Sequence, residues 1–157
     1  LKSPIERATI LLKNLEKKEL WQKGAVKEYY SELTDIARNY IEEAIEIPAM
    51  ESTTSELIIA LRAASIKKKM TVSAETLENL ERVLKQADLV KFAKSRPVDF
   101  EIAEDKNKIE KAILTLDKSI PIEIEPEEDT SEWDEMRRLQ KLKKEKKTKI
   151  LTAVLAE

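Results

Sequence analysis

The chain contains neither histidine nor cysteine. That removes imidazole general acid/base chemistry, a thiolate nucleophile, disulfides and an ordinary zinc site. Carboxylate sites for hard cations stay open in principle, but no catalytic, metal or cofactor motif is present. Glycine occurs once and proline five times in 157 residues, too little turn chemistry for a β-sandwich or barrel. No apolar run reaches the roughly 20 residues of a membrane-spanning helix, and no signal peptide is present. What remains is rich in Leu, Ala, Glu, Lys and Ile, the composition of an all-α protein.

The net charge of −2 conceals its layout. Residues 1–120 hold 21 bases and 21 acids, so this part has no broad field to draw it to nucleic acid. Eight acids and no base lie between Pro121 and Glu135; eight Lys/Arg and one Glu follow from Met136 to Lys149. The last stretch then enters an apolar run, Ile150 to Ala156. Bases running into apolar sequence mark the cytoplasmic edge of a membrane span. Together with Leu1 at the start, this suggests an excised piece of a membrane protein, cut just as a span begins. The expected organisation is a helical domain over 1–120, an acidic linker over 121–135, and a basic juxtamembrane helix over 136–157 running into a truncated apolar segment.

Five amphipathic helices are expected in the first part. Ser3-Pro4-Ile5-Glu6 forms a capping box with proline at the first helical position, and Ile5, Ala8, Leu11, Leu12 and Leu15 give an inward face up to about Lys17. A second helix begins near Trp21 and carries Val26, Tyr29/Tyr30, Leu33, Ile36/Ala37, Tyr40/Ile41 and Ala44 at helical spacing; Pro48 ends it. Thr53-Thr-Ser-Glu56 caps a third helix through Leu57, Ile58, Leu61 and Ala64. Ile66 to Val72 is expected as an exposed loop. Ser73 caps a fourth helix bearing Leu77, Leu80, Val83/Leu84, Ala87, Val90 and Ala93, stopped by Arg96-Pro97. A fifth runs from Val98 or Asp99 to Ser119 with Phe100, Ala103, Ile109, Ile113 and Leu116 inward. A last charged helix starts near Ser131. The fold class expected is all-α: a compact bundle of about five helices, an acidic linker and a charged C-terminal helix.

Several stretches together resemble a known family. Lys2-Ser-Pro-Ile-Glu-Arg7, Leu20-Trp-Gln-Lys-Gly24 with Val26 to Ile36, Ile47-Pro-Ala-Met-Glu-Ser-Thr-Thr-Ser-Glu56 and Ala87-Asp-Leu-Val-Lys-Phe-Ala-Lys94 are similar to the cytoplasmic helical region of BatD-like membrane proteins. These are encoded in Bat (Bacteroides aerotolerance) gene clusters. The resemblance covers roughly residues 1–120. It implies a place on the cytoplasmic face of the inner membrane and neighbours of two kinds, MoxR-type AAA+ ATPases and membrane-anchored von Willebrand factor A (VWA) domain proteins. It brings no catalytic residue. Where related sequences have an aromatic–Gly pair before the Ile-Pro element, this chain has Ala44-Ile-Glu-Ile47, which implies a differently built turn.

Four constellations have competing readings. Trp21, Tyr29, Tyr30 and Tyr40 suit a recognition face or a core, and the core is the preferred reading for most of them. Tyr29 and Tyr30 are about 100° apart on a helix, so at most one is expected to point squarely at the core and one to be exposed. Leu89, Val90 and Phe92 lie among Asp88, Lys91 and Lys94; either the fourth helix is buried on two sides, or this segment offers a patch to a partner. The candidate protein-interaction residues are accordingly Trp21, Tyr30, Asp88, Lys91, Phe92 and Lys94. Carboxylate pairs such as Glu42/Glu43 and Glu127/Glu128 are a solvated face rather than an active site, because they lack the distinct environments that split pKa values. The bases Arg137, Arg138, Lys141, Lys143, Lys144, Lys146, Lys147 and Lys149 suit an anionic membrane surface. The other readings are a solvated or self-packed helix and a nucleic-acid tail, which lacks interleaved aromatics.

The sequence therefore points to a non-enzymatic protein-interaction module on the cytoplasmic side of a bacterial inner-membrane protein. The alternative is a helix-turn-helix-like nucleic-acid-binding domain with a basic tail, built on the second and third helices.

Overall fold

The computed structural model is all-α and describes residues 2–122 and the backbone of 131–152, with the side chains of 135–146 in the latter stretch. The helices are α1 (Pro4–Lys17), α2 (Val26–Ile45), α3 (Thr54–Lys67), α4 (Ala74–Phe92), α5 (Asp99–Ser119) and α6 (Ser131–Thr152). The chain divides into two compact units, Leu1–Pro121 and Ile122–Glu157.

The starts of α1 and α3 are fixed by full capping boxes. Ser3 Oγ accepts from the Glu6 N–H while Glu6 accepts from Ser3, and Thr53 with Glu56 repeats the arrangement. At α4, Ser73 Oγ accepts from the Thr76 N–H at 3.1 Å. Each such contact satisfies an amide that the first helical turn leaves without a partner. These carboxylates gain from ionisation: backbone and side-chain hydrogen bonds from Ser3 hold Glu6 below the usual carboxylate range, and those from Thr53 do the same for Glu56.

Helix α2 is the centre of the first unit, with α1, α4 and α5 packed around it. Named contacts fix the directions. Tyr29 reaches Glu16, and Arg7 pairs with Glu43, so α1 runs antiparallel to α2. Tyr30 reaches Asp105 and Tyr40 reaches Asp117, so α5 runs parallel to α2. Helix α4 runs opposite to α5, and α3 packs on α4, with Thr54 at the start of one donating to Asp88 near the end of the other.

The core comprises Leu12 and Leu15 of α1, Leu33, Ile41 and Ile45 of α2, Leu57 and Leu61 of α3, Leu80 and Leu84 of α4, and Ile109 and Leu116 of α5, with others. The structure moves several expected inward residues. Leu11, Ala93, Ala103 and Phe100 are exposed, while Ile102 and Asp105 take the inward positions of α5. Asp105 disguised the stripe, because an acid interrupts the otherwise apolar series Ile102, Ile109, Ala112, Ile113, Leu116. Ile66 and Lys67 continue α3, and Met70 in the following turn is buried rather than exposed.

The second helix begins at Val26, five residues later than Trp21. Residues 18–24 instead form turns closed by Gly24 N–H to Trp21 O and Ala25 N–H to Leu20 O. Gly24 stands at φ +91°, a conformation L side chains rarely adopt, which explains the chain's single glycine at that position. At the far end of α2 the left-handed cap is Glu46, φ 64°. The turn that follows is therefore closed without a glycine. It is held from both sides: the Glu42 carboxylate accepts from the N–H groups of Ala49 and Met50, and buried Arg38 donates to the carbonyls of Ala49 and Ser52 at 2.7 Å each. The two N–H donors hold Glu42 below the usual carboxylate range.

Helix α6 carries Arg138, Lys141, Lys143, Lys144 and Lys146 exposed, and Arg137 half-exposed. At about 100° per residue these bases point to all sides of the helix, and no continuous apolar stripe runs along the described residues 135–146. Met136, Leu139 and Leu142 are 44%, 54% and 41% exposed. Lys147 and Lys149 lie on the helix, but their side chains fall outside the described residues, as do residues 153–156 of the apolar run and most of the acidic linker. Among the described residues, no helix is long and apolar enough to cross a membrane.

Candidate interaction surface at the α4–α5 corner

Helix α4 ends in a left-handed turn. The N–H groups of Ala93 and Ser95 both donate to Leu89 O, and Lys94 takes φ 57°. The chain then passes Pro97 and enters α5 with the Glu101 carboxylate accepting from the Val98 N–H at 3.0 Å. This tight reversal brings the last turn of α4 and the first turn of α5 to one end of the bundle. Four large apolar side chains there face solvent: Leu89 (50% exposed), Phe92 (81%), Val98 (61%) and Phe100 (71%). Val90, between the first two, is buried. The two readings of this segment thus separate residue by residue: Val90 belongs to the core, and Leu89 and Phe92 to the surface.

Of the residues singled out in the sequence, Phe92 and Lys94 lie exposed at this corner. Lys91 is half-buried; its Nζ lies 5.9 Å from the Phe92 ring centroid and 3.4 Å from Thr34 Oγ1. Asp88 accepts from Thr54 Oγ1 at 2.7 Å, and Thr54 in turn receives Arg38. Its role is to pin the start of α3 to α4, so it is not a free contact for a partner.

Tyr30 is a correction. It is fully buried, and its phenol donates to Asp105, so it is not part of any surface. Tyr29 and Tyr40 are buried as well, donating to Glu16 and Asp117 at 2.7 Å each. The expectation that one of the adjacent tyrosines would be exposed fails because α2 is flanked on both sides. Tyr29 reaches α1 and Tyr30 reaches α5, their rings meeting edge to face at 6.0 Å. Burial, followed by the hydrogen bond to a carboxylate, pushes all three phenols far up, so they are donors at any ordinary pH. Burial likewise raises Asp105, against the lowering effect of the Tyr30 hydrogen bond and of Lys108. Trp21 lies in the α1–α2 turn, half-buried against the core.

Sequence reasoning missed Phe100 and Val98. The signal was available: placing Ile102 inward puts Phe100 about 200° away around the helix.

No grouping at the corner resembles a reactive centre. Among the described residues there is no cluster of three acids that could hold a metal ion. The Glu42/Glu43 pair is occupied structurally, Glu42 by the turn amides and Glu43 by Arg7. No protein family, no curated protein and no solved structure matches the chain.

Proposed function

We propose that this chain is a non-enzymatic protein-interaction module that binds its partner through the α4–α5 corner. One observation carries the reading: Leu89, Phe92, Val98 and Phe100 are all at least half exposed within a single helix reversal. Scattered surface apolar residues are ordinary, but four at one turn support a contact site there. Phenylalanine is also enriched in the buried centres of interfaces. Lys94 and Arg96 beside them supply a polar rim.

The resemblance to the Bat helical region supplies the setting: the cytoplasmic face of a bacterial inner membrane, with a VWA-domain protein or a MoxR-type ATPase as partner. The bases of α6 support attachment to an anionic membrane surface, where each contributes on the order of 1 kcal/mol. The helix-turn-helix alternative is not favoured. The α2–α3 connection spans residues 46–53, against about three or four in that motif, and Ile59 and Ile66, 69% and 81% exposed, lie on the helix that would enter the groove.

The test is a titration of the purified chain against each candidate partner, with Phe92→Ser/Phe100→Ser alongside. Saturable binding of one partner, abolished in the double variant, is expected; binding of neither contradicts the reading. Sedimentation with phosphatidylglycerol vesicles, absent with phosphatidylcholine and weakened by salt, is expected for α6. Salt-sensitive binding to duplex DNA in place of both would favour the alternative.

A further inference from the structure

A second surface of the first unit is shaped for a helix. Helices α1 and α5 each pack on α2 but barely meet one another. Between them lies an open trough of about 450 Å³ with Ile5, Leu12 and Ile113 on its floor and half-exposed Leu114 on one wall. Along α1 the lining runs from Ile5 to Lys17. At about 1.5 Å per residue that is roughly 18 Å, the length of about three helical turns.

The charge around the trough is unbalanced. Of its two acids, Glu110 pairs with Lys106 at 2.7 Å, which holds that lysine's pKa up, while Glu16 accepts from the neutral Tyr29 phenol and keeps its charge, so the three lysines of the lining outnumber its acids by one. On the α1 wall Lys13 and Lys17 are exposed one turn apart. Neither has an ion-pair partner among the described residues. The unmet charge is therefore positive.

We infer that this trough receives an amphipathic helix of a protein partner, apolar side chains on Ile5, Leu12, Ile113 and Leu114 and acidic residues against Lys13 and Lys17. A helix placed there fills the gap between two helices by ordinary ridge-and-groove packing, in the manner of helix-in-groove recognition. The trough is half open to solvent. The inference rests on the protein-binding reading above, but on a different surface.

The probe is a stapled helical peptide of about fifteen residues with leucines at i, i+3 and i+7 and glutamates on both flanks, titrated into the ¹⁵N-labelled full chain. Amide shifts are expected at Thr9, Lys13 and Leu114. Lys13→Glu/Lys17→Glu should weaken binding about ten-fold and should prefer the same peptide carrying lysine flanks. Equal binding of the two peptides to the wild type overturns the inference. So does binding of laurate but of neither peptide, or a shift map centred on Phe92 and Phe100. Phe92→Ser/Phe100→Ser should leave peptide affinity unchanged. If the peptide fails while a candidate partner still binds through the corner, only this inference falls; if the peptide binds and the partners do not, only the corner reading falls.

Discussion

The tyrosines and phenylalanines of the first unit form two sets, and the division inverts ordinary polarity. The three tyrosines, each with a hydroxyl to satisfy, are 0–1% exposed on α2; the two phenylalanines, with nothing to satisfy, are 81% and 71% exposed at the α4–α5 corner. The tyrosines stay inside because every phenol finds a carboxylate on a neighbouring helix: Glu16 on α1, Asp105 and Asp117 on α5. Each pair adds apolar area and a directional bond, so the register of α1 and α5 against α2 is set by three side chains. The phenylalanines make no comparable contribution to folding. Their exposure is what the proposed partner contact rests on.

The comparison breaks most severely at Tyr30. Tyr30→Ala removes a fully buried ring and should destabilise the unit by about 3–5 kcal/mol in urea unfolding. A loss below about 1 kcal/mol would mean that the ring is not held in the core. Tyr30→Phe keeps the ring and removes only the donor to Asp105, with an expected loss of about 1–3 kcal/mol. Because the Tyr30 hydrogen bond lowers the Asp105 pKa, its removal should also raise the carboxyl titration midpoint followed by ¹³C NMR. An unchanged midpoint would show that the pair does not form.

Asp105→Asn sharpens the same point through pH. Burial raises the Asp105 pKa, so its protonated form favours the folded state. The corresponding stability is present below the unfolded value, near 3.8, and is lost as pH rises through the folded one. Glu42 and Glu56 are lowered and act in the opposite sense, losing stability as pH falls, but they are common to both proteins. The stability of the wild type relative to Asp105→Asn should therefore decline from acid towards neutral pH in a series of thermal melts. A difference that grows with pH contradicts the assignment.

Helix starts were legible wherever the code is local. Ser3, Thr53 and Ser73 each accept from the amide three residues on, and the apolar period placed every buried residue of α4 and most of those of α2, missing Thr34, Arg38 and Ile45. What was hidden depended on tertiary neighbours. The burial of both Tyr29 and Tyr30 required helices on both flanks of α2, which no spacing along one helix reveals. Asp105 and Arg38 are charged residues that are buried because Tyr30 and the 46–53 turn supply their partners. Glu46 took a left-handed cap usually given to glycine because Glu42 and Arg38 hold the turn that follows. Of the candidate site, Phe92 and Lys94 were legible from their crowding with Leu89 and Val90. Phe100 was not, because the acid at 105 masked the true inward face of α5.

The smallest expected effect tests the central claim most directly. Urea unfolding of Phe92→Ser/Phe100→Ser should match the wild type in midpoint and slope, within about 0.5 kcal/mol for each substitution. A combined loss of about 3 kcal/mol or more, the scale of truncating buried side chains, would place both rings in the core and remove the reason for assigning the corner to a partner.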